Sequence, residues 1–150
     1  MDEKTAEKIG KKIGKIINTI LYGFVFYSVV NFSGILIGND ISVKNSSKIK
    51  DAHDLEILLR QEKKKLGIED KIISASFNDT LLTSYAIKKE NNYEILIAQR
   101  HRCLGTLKHE LFHIAAGHLD RSKTRLFRKY YLEEPSAMIY SLKDIKLHKN

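Results

Sequence analysis

The stretch that decides the fold is LGTLKHELFHIAAGH, residues 104–118. Its apolar residues recur at the spacing of one face of an α-helix. Gly117 stands where such a helix would end, because glycine adopts the left-handed conformation of a helix C-terminus without strain. The pattern predicts a helix from Leu104 to Ala116.

Within this helix, residues 109–113 read His-Glu-Leu-Phe-His. His109 and His113 are one helical turn apart, so their imidazoles project from the same face and can bind one metal ion. Glu110 is rotated away from both, toward the open side of the metal, where it can take a proton from a water molecule. This is the chemistry of the H-E-x-x-H motif, which predicts a zinc metallopeptidase with Glu110 as its general base.

Two histidines leave a catalytic zinc site one protein ligand short, since such sites usually have three. One family of zincins places a third histidine six residues after the second, but that position is Leu119 here. His118 comes directly after the glycine, and we expect it to interact with the last carbonyls of the helix. The remaining candidates are Glu133 and Glu134, at the start of the next predicted helix.

HELFHIAAGH followed by EEPSA resembles the gluzincin group of zinc metallopeptidases, over about residues 51–142. In its brevity the chain is similar to the minigluzincins. The resemblance implies that Glu134, three residues before Ala137, completes the zinc site, and that Glu133 supports it. Met138 departs from the pattern, because several relatives carry there an aspartate that supports a histidine ligand.

The chain from residue 51 onward is patterned as a compact α+β unit. A helix ending at Gly67 precedes three strand-like segments, and a helix with Pro135 in its first turn follows the active-site helix. The strands are expected at Lys71–Phe77, Thr83–Lys88 and Tyr93–Ala98. Together with the resemblance, this predicts a small zincin-like domain with a short, mainly antiparallel sheet, an active-site helix and a second ligand-bearing helix, preceded by a hydrophobic N-terminal helix.

The resemblance also implies a place for the substrate. In gluzincins, the strand before the one that leads to the active-site helix lies along the cleft, and an extended peptide pairs with its backbone. By position this strand is Thr83–Ile87, whose alternating side chains suit the edge of a sheet. The expected partner is therefore a peptide or protein bound in extended form.

The N-terminal part contains an uncharged run, Ile16–Gly38, of 23 residues. That length is enough to cross the apolar core of a bilayer. We therefore predict that residues 1–50 form a basic lead, a single-pass membrane anchor and a polar linker, and that residues 51–150 form the zinc metallopeptidase domain. A buried helix or hairpin of a soluble, cytoplasmic protein is the alternative, favoured by the polar residues within the run.

The lysines around this run indicate an orientation. Five lysines precede the run, and three follow it up to Lys50. The excess of positive charge on the first side favours a cytoplasmic N-terminus and a catalytic domain on the opposite side of the membrane. The alternative is a lead helix that lies flat on an anionic membrane surface.

Composition narrows the other function classes. The net charge of +8 comes from scattered lysines and arginines, with no strongly basic stretch interleaved with aromatic residues. We therefore expect no nucleic-acid partner. Cys103 is the only cysteine, so an internal disulfide is excluded, and we expect a small buried residue there.

The sequence thus predicts a zinc-dependent endopeptidase with one catalytic Zn²⁺. The competing interpretation is a metal-bearing but weakly active or latent binding or regulatory module, favoured by the small size and the missing aspartate. A third is a cytoplasmic regulator that cleaves or binds a repressor-like partner, although the hydrophobic run and the lack of a recognisable DNA-binding region argue against it. Three tyrosines can supply a hydroxyl to the developing oxyanion, and the sequence does not choose among them. They are Tyr130, Tyr131 and Tyr140.

Overall fold

The computed structural model describes residues 3–120 and 128–143. It contains two compact units, Met1–Gly34 and Ile35–Asn150. The first unit is the greater part of one long helix. The second is an α+β unit, as predicted, and it contains the motif residues.

The long helix α1 spans Glu3–Asn45. Most of its apolar side chains are exposed, and only 6% of its most apolar window, with a mean hydropathy of 1.9, is buried. Among the described residues it is the helix that is long and apolar enough to cross a membrane, which confirms the predicted hydrophobic N-terminal helix. A secretory signal sequence has the same properties, so the role of an anchor stays a prediction.

The residues expected to form a polar linker are partly helical. Helix α1 continues beyond the uncharged run to Asn45, and the portion from Ile35 belongs to the second unit. No proline or glycine stands between Asn39 and Asn45 to interrupt it, so polar composition alone does not end the helix. The residues that directly follow the hydrophobic run are therefore helical as far as Asn45.

Helix α2, Ala52–Leu66, has a signal at each end. The side chain of Asp51 accepts a hydrogen bond from the backbone N–H of Asp54 at 2.9 Å, which satisfies one of the free donors of the first turn. Gly67 ends the helix in the left-handed conformation, with φ of 65°, and its N–H is directed at carbonyls of the last turn. Leu55 and Leu59 are buried in the core, so the predicted helix is confirmed.

The sheet has three strands in the order β1-β3-β2, namely Ile72–Asn78 (β1), Tyr85–Lys89 (β2) and Asn92–Ala98 (β3). β2 and β3 form an antiparallel hairpin, but β1 pairs with β3 in parallel. The prediction of a mainly antiparallel sheet is therefore wrong, because the sheet is mixed. The sequence indicates the β2–β3 hairpin, but it does not indicate which strand of the hairpin pairs with β1. Because β2 and β3 run in opposite directions, that choice decides whether the pairing of β1 is antiparallel or parallel.

Helix α3, Leu104–Ala115, packs on the sheet through Leu107, Leu111 and Ile114, which are fully buried with β3 residues in one core. Gly117 follows with φ of 67°, as its position predicted. Cys103, at the N-cap, is also fully buried.

Helix α4, Glu134–Leu142, has Pro135 in its first turn, as predicted, and directly follows a π-helical turn at Lys129–Glu133. Ala137 is fully buried, which is consistent with a close approach of α4 to α3.

Candidate metal centre

Helix α3 directs two histidines to the side opposite its core face. His109 and His113 are four residues apart, and their Nε2 atoms lie 3.2 Å from each other. Their rings meet edge to face at a centroid distance of 4.9 Å. His113 is buried and His109 is half-buried, so both imidazoles are held in place by their surroundings. The predicted pairing of the two histidines on one helix face is thus observed.

Helix α4 brings a carboxylate to the same point. Glu134 Oε2 lies 3.4 Å from His109 Nε2 and 3.7 Å from His113 Nε2. The three residues form a group that could hold a metal ion. Glu133, the neighbouring candidate, is buried and forms an ion pair with Arg128 at 3.2 Å. The structure therefore brings Glu134 beside the histidines, whereas Glu133 lines the same cleft and pairs with Arg128.

The triangle of these three atoms fits a zinc ion. With edges of 3.2, 3.4 and 3.7 Å, the point equidistant from its corners lies about 2.0 Å from each, and zinc binds imidazole nitrogen and carboxylate oxygen at about 2.0–2.2 Å. Two imidazoles and a carboxylate are also a donor set found in catalytic zinc sites. The separations and the types of the donor atoms are thus compatible with a zinc ion.

The charge state of Glu134 suits a metal ligand. Burial acts to raise the pKa of its carboxyl group, but the hydrogen bonds of His109 and His113 act in the opposite direction and outweigh it. The net effect holds the pKa of Glu134 well below its usual range, so this carboxyl is ionised at neutral pH. A carboxylate must be ionised to bind a metal ion.

Glu110 lies beside this cluster without belonging to it. Its side chain is buried, and burial raises the pKa of its carboxyl group above the ordinary value, against the opposing effect of the two histidines. The backbone N–H of Ala86, in strand β2, donates a hydrogen bond to it. A raised pKa and a defined position are the properties expected of a general base.

A cleft of about 800 Å³ opens in front of these groups. Residues Thr83–Ala86 form part of its wall. The first two of them precede β2, the last two begin it, and β2 is an edge strand of the sheet. The structure therefore brings the predicted substrate strand and the metal cluster to one cleft. His101 also lines the cleft, and its Nδ1 lies 3.4 Å from the hydroxyl of Ser84. The spacing of the sequence did not predict this position of His101.

His118 makes a contact that sequence reasoning did not predict. It lies in a short 3₁₀ turn, His118–Asp120, and its Nδ1 is 2.8 Å from Nδ1 of His113. Metal-binding histidines commonly use their second ring nitrogen for such a hydrogen bond, which orients the ring. In the sequence, the signal for this contact was limited to the position of His118 directly after Gly117.

Asp120 ties this turn to the sheet. Its Oδ1 accepts hydrogen bonds from the hydroxyl of Tyr93 at 2.6 Å and from Lys88 Nζ at 2.7 Å. These bonds lower the pKa of Asp120, the Lys88 bond first, so the carboxylate stays ionised. The turn that carries His118 is therefore fastened to strands β2 and β3.

The second ring nitrogen of His109, unlike that of His113, lacks a hydrogen bond within the described residues. Within the described part of the chain, His109 Nδ1 is buried and has no hydrogen-bond partner. Met138, which stands where several gluzincins carry an aspartate, packs closely against Gly38 of α1. The support that His113 receives from His118 thus has no counterpart at His109.

The tyrosine predictions have separate outcomes. Tyr140 stacks on Phe112 at a centroid distance of 5.4 Å and is not among the described residues that line the cleft. The side chains of Tyr130 and Tyr131 lie outside the described part of the structure. Their proposed role at the oxyanion therefore stays a prediction.

Comparison with known proteins identifies no relative: no protein-family model, curated protein or solved structure matches this chain. The gluzincin resemblance therefore stays a prediction from the motif residues.

Proposed function

We propose that this protein is a zinc-dependent endopeptidase, with the metal held by His109, His113 and Glu134. The observation that carries the proposal is the triangle of donor atoms, whose edges of 3.2–3.7 Å match one zinc ion. A pair of histidines on a helix surface occurs by chance, but here a carboxylate from a second helix completes it. A cleft with an edge strand lies in front of the three ligands.

The chain's own residues have distinct roles in this reaction. Zinc, when bound, acidifies a water molecule and polarises the carbonyl of the scissile bond. Glu110 accepts the proton of the attacking water and passes it to the leaving amine. The peptide bond is cleaved to a carboxylate and an amine, and no covalent bond to the protein forms. His118 keeps the ring of His113 in its orientation.

The substrate is a peptide or a segment of a protein, bound in extended form. Residues Thr83–Ala86 line the cleft at an edge of the sheet, where an added strand can pair with free backbone groups. A folded protein would present such a segment only in a loop or an unfolded stretch.

The protein is anchored by a single pass through a membrane. The uncharged run Ile16–Gly38, as a helix, is about 34 Å long, against about 30 Å for the apolar core of a bilayer. Its side chains are exposed, so the run does not serve as the core of a soluble fold within the described residues.

The test of the catalytic proposal is Glu110→Gln in the full chain. An amide has nearly the same shape as the carboxylate but cannot accept a proton at neutral pH, so we expect about a hundredfold or greater loss of peptide cleavage. Zinc content after dialysis should be unchanged, because Glu110 is not a ligand. Near-normal cleavage by this variant would refute the mechanism.

The second candidate function is a metal-bearing binding or regulatory module with little activity. The buried Nδ1 of His109 has no hydrogen-bond partner among the described residues, and this favours the alternative, because a ligand without its supporting hydrogen bond binds metal less firmly. A zinc-replete preparation of the full chain that binds an extended peptide but does not cleave it would decide for this alternative.

A further inference from the structure

Helix α1 runs from the uncharged segment directly into the wall of the cleft. The uncharged run ends at Gly38, and Asn39, Ser42 and Val43 line the same cleft as the candidate metal ligands. At 1.5 Å per residue, Val43 lies about 8 Å beyond Gly38 along the helix. The cleft wall therefore begins within two helical turns of the end of the apolar run.

Close packing holds these last turns of α1 in place. Gly105 of α3 approaches α1 so closely that a Cβ there would clash with the side chains of Ser42 and Ser46. Gly38 of α1 approaches α4 in the same way, since a Cβ there would clash with Met138. Contacts made at glycine leave little freedom for one helix to move against another.

The chain that follows α1 is fastened to the beginning of α3 as well. The backbone N–H of Ile49 donates to the carbonyl of Arg102 at 3.1 Å, and that of Leu104 donates to the carbonyl of Ser47 at 2.9 Å. Ile49 is buried in the core. Within the described residues, the path from the end of the apolar run to the metal cluster thus follows helix α1, the hydrogen-bonded residues after it and helix α3.

Exposed apolar side chains occur on both sides of the Gly38–Met138 contact. Leu36 and Ile37 precede it on α1, and Ile139 follows it on α4, with exposed fractions of 71%, 60% and 65%. Side chains of this kind are costly in water but not at the surface of a bilayer. Their position next to the end of the uncharged run makes lipid the environment that suits them.

We propose that the substrate is a membrane-anchored polypeptide, cut within a few residues of the point where it leaves the bilayer. This inference rests on the proposed peptidase function and adds its substrate class. Because the residues of α1 that line the cleft lie within about 8 Å of the end of the apolar run, an extended chain leaving the membrane reaches them with two or three residues, at about 3.3 Å each.

The experiment uses the full chain reconstituted in phosphatidylcholine vesicles. The probe is a Leu/Ala-rich transmembrane helix followed by an unstructured casein segment, and mass spectrometry maps every cut. Two matched probes carry the same segment, one without the helix and one with a 30-residue Gly/Ser spacer after the helix. The spacer probe keeps the local concentration of the anchored probe but moves the casein segment away from the membrane.

We expect cuts in the directly anchored probe within roughly the first ten residues beyond the bilayer, at a rate roughly tenfold or more above either control. Equal rates and equally scattered cuts in the anchored and spacer probes would overturn the inference while leaving the peptidase function intact. No cutting of any probe beyond that of the Glu110→Gln chain would instead overturn the peptidase function, and the inference with it.

Discussion

The contact between His118 and His113 leads to a quantitative prediction about metal affinity. A histidine that binds zinc through Nε2 carries its proton on Nδ1. With zinc bound, His113 would therefore donate that proton to Nδ1 of His118, which lies 2.8 Å away. His118→Phe keeps an aromatic ring of similar size beside Phe112 but removes the acceptor. The buried N–H of His113 would then lack a partner, at a cost of about 1–3 kcal/mol.

This cost predicts a loss of zinc affinity of roughly 10- to 100-fold, the range found for residues that support a metal ligand. The measurement is competition between the dialysed full chain and a chromophoric zinc chelator. His118→Asn should restore much of the affinity, because its amide oxygen can accept the same hydrogen bond. His101→Phe is the matched control, since His101 lines the cleft but contacts Ser84.

Two results would refute this reasoning. If His118→Phe binds zinc as tightly as the unchanged chain, the hydrogen bond does not orient His113. If it loses zinc as completely as His113→Ala does, His118 is a ligand, and the triangle with Glu134 is not the full donor set.

Three further predictions concern the third ligand, the helix packing and the anchor. Glu134→Ala should release zinc on dialysis and Glu133→Ala should retain most of it, and the reverse result would identify the other carboxylate as the ligand. Gly105→Ala should lower the free energy of unfolding by about 1–3 kcal/mol, measured by denaturation in detergent, because its Cβ has no room. Gly34→Ala, with open space at its Cβ, should not destabilise, and equal effects would contradict the packing. The full chain should resist alkaline extraction from membranes, and a soluble full chain would exclude Ile16–Gly38 as an anchor.

The candidate site was only partly predictable from the sequence. His109, His113 and Glu110 follow from the geometry of one helix, since a spacing of four residues places two side chains on one face wherever that helix lies. The choice between Glu133 and Glu134 does not follow in this way. Adjacent residues at the start of a helix point in directions about 100° apart, so the packing of α4 on α3 decides which carboxylate reaches the histidines.

Local signals also determined most elements of the fold. Gly67 and Gly117 ended their helices because each can adopt a positive φ, and alternating or apolar runs marked the three strands. The uncharged run predicted a helix of membrane-spanning length, and the structure contains that helix. These features depend on interactions between residues close together in the chain, so a short stretch of sequence is enough to predict them.

Tertiary structure alone decided how distant segments meet. It placed β1 parallel to β3, turned His118 toward His113, and brought the last turns of α1 to the wall of the cleft. Each of these depends on contacts between residues far apart in sequence, whose free energy comes from burial shared across the whole unit. A local sequence pattern does not show which distant residues become buried together. For this reason the contact between Ser42 and Gly105 is known only from the folded chain.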